Sequence, residues 1–160
     1  MLKGIDQKLS ADVVFALMQM GHGDNLLICD VNHPAAAIAQ STVTGRVLDM
    51  AGCDIIEATH AILSLMPLDT FIPAPVQRMQ IVGDSQAELP IFARMQTTVD
   101  AYRDAGLARP VQIDALERFA FYAAAKQAFC VIRTSDSGPY GCFLLTKGVV
   151  NLPPLRNNTQ

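Results

Sequence analysis

Residues 11–30 read ADVVFALMQMGHGDNLLICD and contain a helix pattern, a glycine turn and a buried-strand pattern in succession. Ser10 can cap a helix over Ala11–Met20 that Gly21 ends, with apolar side chains spaced along one face. These side chains are Val13, Val14, Leu17 and Met20. The apolar run Leu26–Cys29 closes on Asp30, which predicts a short strand inside a sheet. A helix followed at once by such a strand is typical of α/β domains.

The alternation of helices and strands continues along the rest of the chain. After a turn at Asn32–Pro34 and a short alanine-rich helix, the patterns predict further helices over Asp54–Met66, Leu89–Ala105 and Leu116–Ala128. The further predicted strands are Thr42–Leu48, Val76–Val82, Val111–Ile113, Phe129–Arg133 and Cys142–Thr146. A turn over Ser135–Pro139 joins the last two strands, which predicts a hairpin-like pair and therefore a mixed sheet. We expect a three-layer α/β/α domain.

Composition limits the class of protein. Of 160 residues, 51% are apolar and 17% are charged, which favours one folded domain, assigned to residues 1–150, over a disordered chain. The tail over residues 151–160 has two prolines and little to bury, so we expect disorder there. A net charge of −3 without basic runs gives nucleic acid and anionic membranes no electrostatic reason to bind. The low charge and a mean hydropathy of +0.26 favour a homo-oligomer.

Motifs for membranes, metals and nucleotide cofactors are absent from the sequence. No apolar run reaches the roughly 18 residues of a membrane helix. The cysteines, Cys29, Cys53, Cys130 and Cys142, form no CxxC pair, which argues against zinc and suits a reducing cytoplasm. Cys130 and Cys142 lie on the last two predicted strands and could be cross-strand neighbours. No GxGxxG or P-loop pattern occurs, so we expect no cofactor and no metal.

The densest polar signal is Gly21-His22-Gly23-Asp24, between the first helix and the first strand. A histidine flanked by glycines is little shielded, and an imidazole exchanges protons near neutral pH. The same pattern also suits a helix-ending turn in which Asp24 accepts hydrogen bonds from loop amides, and spacing alone favours that interpretation.

Further candidates are polar residues at predicted loop and helix ends. Asp30 ends a buried strand, where α/β sheets place ligand groups, or it caps the following helix. Arg118 and Tyr122 share a helix face and suit a polyhydroxyl ligand, or they form an amphipathic edge. Asp69 is a loop carboxylate or an N-cap, and Tyr140-Gly141-Cys142 begins a strand with a glycine that admits close approach. His33 and His60 are predicted to be a loop residue and a packing residue.

Several stretches together resemble one known family. They are MGHGD at 20–24, CD at 29–30, LDTFIP at 68–73, RFAFY at 118–122, KQAF at 126–129, PYG at 139–141 and LLTKGVV at 144–150. In this order they are similar to the family that contains L-fucose mutarotase and D-ribose pyranase. RFAFY resembles the fucose branch. The resemblance implies a ribose pyranase-like fold and an isomerase that interconverts sugar anomers without a cofactor.

The resemblance also implies roles for individual residues. The position of His22 is the family's proton donor, and the positions of Asp30, Arg118, Tyr140, Gly141 and Cys142 bind sugar. Tyr122 matches a residue that lines the same pocket, and Asp69 matches a further family carboxylate. Cys142 departs from the asparagine usual in the family, which puts sugar preference in doubt because a thiol is a poor hydrogen-bond donor. The segment Val31–Pro34 is a second departure.

The assembly and the alternatives follow from spacing and resemblance together. If Asp24–Asp30 were extended at about 3.3 Å per residue, His22 and Asp30 would lie ~20 Å apart, farther than one monosaccharide reaches. The resemblance implies ring-like oligomers, commonly two stacked pentamers, with sites near subunit interfaces. We therefore expect His22 and the group around Arg118 and Tyr140 to meet at an interface. The alternatives are a non-catalytic sugar-binding or transport-associated protein and a purely structural oligomer.

Overall fold

The computed structural model describes residues 2–103 and 107–150. Its helices are α1 (Ala11–Gln19), α2 (Ala35–Ala39), α3 (Ile55–Leu63), α4 (Pro90–Ala101) and α5 (Arg118–Ala125). Its strands are β1 (Asn25–Cys29), β2 (Val47–Met50), β3 (Val76–Met79), β4 (Ile113–Leu116), β5 (Cys130–Thr134) and β6 (Cys142–Thr146). The predicted tail over residues 151–160 and the predicted helix end at Ala105 lie outside the described residues.

The six strands form one mixed sheet in the order β2-β5-β1-β6-β3-β4. Within the described residues, β6 is the one strand that runs antiparallel to its neighbours, pairing with β1 and β3. The prediction of a mixed sheet is confirmed, but the predicted hairpin of the last two strands is wrong. β1 lies between β5 and β6, because the turn over Ser135–Pro139 carries the chain across this central strand.

Helices cover both faces of the sheet, which confirms the three-layer α/β/α prediction. One face packs Leu26 and Ile28 of β1 under α1, α3 and α4. The other face packs Leu27 and Cys29 under α2 and α5. All four of these side chains are fully buried, as expected for a strand with a helix layer on each side.

Helix α1 begins as predicted but ends differently. The Ser10 hydroxyl accepts a hydrogen bond from the Val13 amide at 3.3 Å, which confirms the N-cap. The C-cap is Met20 in an extended conformation, so Gly21 does not supply a left-handed cap. The ammonium group of Lys147 instead donates to the carbonyls of Leu17 and Met20 and satisfies the end of the helix.

Two strand boundaries differ from the predictions for local reasons. The strand predicted over Thr42–Leu48 is mostly a turn, because Gly45 has φ +64° and the Thr42 hydroxyl donates to the Ala39 carbonyl. The strand β4 starts at Ile113, where the predicted strand ends, and it is half-buried throughout. No helix in the described part of the chain is long and apolar enough to cross a membrane.

Candidate functional site

A cavity of about 200 Å³ opens where β1 and β3 end and β6 begins, on the face covered by α2 and α5. The carboxyl ends of parallel strands are the usual ligand position in α/β sheets. The volume is below the roughly 300–1,000 Å³ of pockets for drug-sized ligands and suits a smaller molecule. The lining residues are Asp30, Asn32, His33, Met79, Val82, Arg118, Tyr122, Tyr140 and Cys142. The fold thus brings Asp30, Arg118, Tyr122, Tyr140 and Cys142 together.

Asp30 is 5% exposed; it accepts hydrogen bonds in the turn after β1 and also lines the cavity. Its Oδ1 accepts hydrogen bonds from the amides of Asn32 at 2.8 Å and His33 at 3.0 Å. The N-cap position of α2 is Pro34, without a side-chain cap bond, so the helix-cap alternative for Asp30 is wrong. Burial raises the pKa of the Asp30 carboxyl, backbone hydrogen bonds oppose the rise, and the Asp136 carboxylate adds to it. A carboxyl held in this way can bind a hydroxyl tightly because little water competes.

Tyr140 and Gly141 fix the wall of the cavity beside Asp30. Tyr140 has φ +58°, a conformation uncommon for a bulky residue, and its phenol oxygen accepts a hydrogen bond from the Val82 amide at 2.9 Å. The phenol proton stays available to a ligand. A Cβ on Gly141 would meet Ile55 Cγ1 at 3.1 Å and Asp30 Oδ2 at 3.4 Å. Gly141 therefore allows β6 to approach Asp30 closely.

Helix α5 supplies a cation and an aromatic ring to the cavity. The Glu117 side chain caps the helix by accepting from the amides of Phe119 and Ala120. The Arg118 guanidinium lies 5.7 Å from the centre of the Tyr122 ring. It forms no ion pair with any described residue, so its donors are free for a ligand. This confirms that the two side chains share a helix face.

Cys142 is 2% exposed and is paired with Cys29 on the neighbouring strand β1. Cys130 and Cys142, which could have been cross-strand neighbours, are not, because β1 lies between their strands. Burial raises the pKa of the Cys142 thiol, and the Asp30 carboxylate adds to the rise. The thiol therefore stays protonated at neutral pH and offers a ligand only a weak donor.

His33 is a cavity residue that the sequence did not reveal. Its ring packs at 6.1 Å from Phe121 and 5.5 Å from Tyr122, measured between ring centres. The signal that could have found it is its place in the same turn as Asp30, directly after the central strand. His60, by contrast, is an exposed residue of α3 that contacts Tyr102.

His22 and Asp69 form a hydrogen-bonded pair at the other end of β1. His22 Nε2 lies 3.1 Å from Asp69 Oδ1. The His22 side chain is 45% exposed and that of Asp69 is 4% exposed. Asp69 Oδ1 also accepts from the Phe71 amide at 2.9 Å, and no helix follows it, so the N-cap alternative for Asp69 is wrong. An exposed imidazole oriented by a buried carboxylate can carry protons to and from a ligand.

The end of β6 holds this pair together. The Lys147 carbonyl accepts from the Gly23 amide at 2.9 Å, and the Lys147 amide donates to the Asp24 carbonyl at 2.9 Å. The Gly148 amide donates to the Pro67 carbonyl at 2.8 Å, and a Cβ at this position would overlap the backbone of Leu68 and Asp69. Lys147 thus contacts the His22 turn while Gly148 contacts the Asp69 loop.

In one chain, the His22–Asp69 pair and the cavity lie apart. β1 occupies Asn25–Cys29 between them, and an extended segment from Asp24 to Asp30 spans ~20 Å at about 3.3 Å per residue. The structure therefore does not bring His22 and Asp69 to the other predicted site residues within one chain. Among the described residues, no group of three or more His, Cys, Asp or Glu side chains could hold a metal ion.

The fold and these two groups define a class of protein, an α/β/α domain with a polar cavity for a small ligand and a separate imidazole–carboxylate pair. The model of the RbsD / FucU transport protein family matches residues 3–150. The chain belongs to this family.

The relatives are similar over nearly their whole length. Human fucose mutarotase is 36% identical over 157 residues, which cover 96% of this chain and 97% of the relative. The crystal structure of protein Atu2016 is 45% identical, with a TM-score of 0.87 and coverage of 94% and 97%. A fucose mutarotase from Streptococcus pneumoniae, solved in complex with L-fucose, is 31% identical, with a TM-score of 0.81 and coverage of 94% and 100%. RbsD from Bacillus subtilis, solved with D-ribose, shares the fold at 19% identity and a TM-score of 0.68, covering 94% and 100%.

Proposed function

We propose that this protein is a sugar mutarotase, an isomerase that interconverts the α and β anomers of a free monosaccharide without a cofactor, with L-fucose as its substrate. The observation that carries the proposal is the His22–Asp69 pair, an accessible imidazole oriented by a buried carboxylate. The choice of L-fucose is supported by the likeness to the streptococcal mutarotase solved with that sugar.

The chemistry requires only proton transfers. A proton is delivered to the ring oxygen and another leaves the anomeric hydroxyl, so the bond between the anomeric carbon and the ring oxygen breaks and a free aldehyde forms. Rotation of the aldehyde and closure with the reverse proton transfers give the other anomer. In our proposal His22 is the proton donor to the ring oxygen, and Asp69 orients its imidazole.

The cavity residues bind and hold the sugar. Asp30 accepts from sugar hydroxyls, Arg118 and the Tyr140 phenol donate to them, and the Tyr122 ring supports an apolar face of the pyranose. Gly141 sets the distance of β6 from Asp30, and Cys142 lies where the family usually has an asparagine. Loss of that amide removes one strong hydrogen-bonding group, so we expect a sugar preference different from that of relatives with the asparagine.

We further propose that the working form is a homo-oligomer in which His22 of one subunit faces the cavity of another. A separation of ~20 Å along β1 exceeds what one monosaccharide spans, so neither group is complete alone. Exposed apolar side chains beside both groups support an interface there. They are Phe71 and Ile72 near His22, and Val82 and Phe119 near the cavity. Two stacked pentamers are the assembly that the family resemblance implies. A cytoplasmic location is supported by the four buried free cysteines.

Anomeric exchange tests the function directly. Proton NMR saturation transfer between the anomers of L-fucose should be faster with the wild-type protein than without it, and His22→Ala should abolish the enhancement. D-Ribose and D-galactose run in parallel report the sugar preference. His60→Ala is the matched control because His60 is exposed, contacts Tyr102 and belongs to neither group. Wild-type protein that broadens sugar signals without speeding exchange would favour the non-catalytic sugar-binding alternative, which the weak donor at Cys142 supports.

A mixing experiment tests the shared site. His22→Ala subunits keep an intact cavity, and Asp30→Asn subunits keep an intact His22. If each site uses two subunits, oligomers reassembled from equal amounts of both variants should recover about a quarter of wild-type exchange, because a quarter of interfaces combine the intact parts. No recovery in oligomers shown by mass to be mixed would contradict the shared site.

A further inference from the structure

The backbone of His33 is fixed by the turn that follows β1. Its amide donates to Asp30 Oδ1 at 3.0 Å, and its carbonyl accepts from the Ala35 amide at 2.6 Å. The ring packs against Phe121 and Tyr122 at the wall of the cavity. The side chain therefore has little freedom to turn towards solvent.

The Nε2 atom of His33 is buried and has no hydrogen-bond partner among the described residues. Buried polar atoms in folded proteins are nearly always paired, because an unpaired one costs about 1–3 kcal/mol. Because His33 lines the cavity, its unpaired ring nitrogen is expected to find its partner in what the cavity binds.

The imidazole of His33 is neutral at physiological pH. Burial lowers its pKa from the ordinary 6.5 to about 4. A neutral imidazole and the Asp30 carboxylate give an anionic ligand little attraction, and among the described residues Arg118 is the one cation that lines the cavity. A hydroxyl, which both donates and accepts, satisfies Nε2 in either tautomer.

We propose that His33 is a specificity-determining residue whose Nε2 exchanges a hydrogen bond with one ring hydroxyl of the bound sugar. This inference rests on the proposed function and narrows its substrate class to uncharged monosaccharides rather than sugar phosphates.

The test combines a variant with a set of ligands. Affinities of wild type and His33→Phe are measured by calorimetry for L-fucose, for analogues that each lack one ring hydroxyl, and for L-fucose 1-phosphate. Phenylalanine keeps the packing on Phe121 and Tyr122 and removes the unpaired nitrogen, so the variant should fold. His60→Phe, an exposed substitution away from the cavity, is the control.

His33→Phe should weaken L-fucose binding by about 2- to 12-fold, the usual range for one neutral hydrogen bond. Wild type should bind one deoxy analogue more weakly than L-fucose by the same factor. The variant should bind that analogue and L-fucose with equal affinity. The phosphate should bind wild type more weakly than the free sugar. Equal affinity of wild type and variant for every sugar, or an equal loss with every analogue, would overturn the inference.

The exchange measurement separates this inference from the proposed function. Exchange that persists while His33→Phe changes no affinity refutes the role of His33 alone. Absent exchange, together with an affinity that depends on His33 and one hydroxyl, refutes the mutarotase proposal and supports the role of His33.

Discussion

Replacing Gly148 with alanine tests whether the end of β6 sets the distance between His22 and Asp69. The new Cβ would lie 2.7 Å from the carbonyl carbon of Leu68 and 2.9 Å from Asp69 Cα, and closer still to the Leu68 oxygen. All three are backbone atoms, which cannot swing aside as the tip of a side chain can. Because ordinary contact begins at about 3.4 Å and the Leu68 oxygen is the closest atom, the loop must retreat by roughly 0.5–1 Å.

This displacement should lower both the free energy of unfolding and the rate of anomeric exchange. Overpacking of this kind costs about 1–3 kcal/mol of unfolding free energy. The Asp69 carboxylate moves with its backbone, so the 3.1 Å contact with His22 Nε2 lengthens beyond hydrogen-bonding range. A misplaced catalytic group costs up to about 100-fold in rate, and we expect a fall of about 10- to 100-fold in exchange. Sugar affinity should change little, because Asp30, Arg118 and Tyr140, which bind the sugar hydroxyls in our proposal, are not part of the displaced loop.

The assay is saturation transfer at saturating sugar, with calorimetry for affinity and thermal unfolding for stability. Gly45→Ala is the control, because Gly45 has φ +64° and no atom within 4 Å of its Cβ position, so alanine strains the backbone without touching either group. The control should lose stability and keep its exchange rate. A Gly148→Ala protein that exchanges sugar at the wild-type rate would refute the reasoning, as would an equal fall in the control.

Three further predictions concern the cavity. Asp30→Asn should raise the melting temperature at pH 7, because a raised pKa means that ionisation of Asp30 opposes folding, and the gain should vanish towards pH 4. Its exchange should fall by about 10- to 100-fold, the usual worth of a charged hydrogen bond. His33 should make the protein less stable as pH falls from 6.5 to about 4, by at most about 3 kcal/mol in denaturant titrations, and His33→Phe should remove this slope. Gly141→Ala should cost about 1 kcal/mol and raise the dissociation constant for sugar, seen by calorimetry, because its Cβ would crowd Ile55 and Asp30.

Elements with strong local patterns were predictable from the sequence. The capped start of α1 and the bounds of β6 match the predictions, since apolar periodicity and turn residues fix them. The strand β4 was predicted at the wrong position, because a half-buried edge strand has no clear apolar pattern. The position of β1 between β5 and β6 could not be predicted, because a turn signal does not show whether another strand lies between the two that it joins.

The candidate site was predictable as a set of residues but not as an arrangement. The family resemblance identified His22, Asp30 and Arg118 as candidates. The length of the segment from Asp24 to Asp30 indicated that His22 and Asp30 lie apart within one chain, as the structure shows. His33 and Lys147 were missed for physical reasons. The burial of the His33 ring depends on Phe121, 88 positions away in sequence, and the bond of the Lys147 ammonium to the Leu17 carbonyl spans 130 positions. Contacts of that range leave no local pattern.

The central position of β6 has a consequence for synthesis of the chain. Of the six described strands β6 is synthesised last, yet it bridges the block β2-β5-β1 and the pair β3-β4. A nascent chain that stops before Cys142 would leave the edges of β1 and β3 open to foreign strands. Both groups of the proposed site also depend on this strand, the cavity on its start and the His22–Asp69 pair on the residues directly after its end. Truncated translation products should therefore be inactive and prone to aggregation. Activity is expected only of a chain in which β6 has joined the two parts of the sheet.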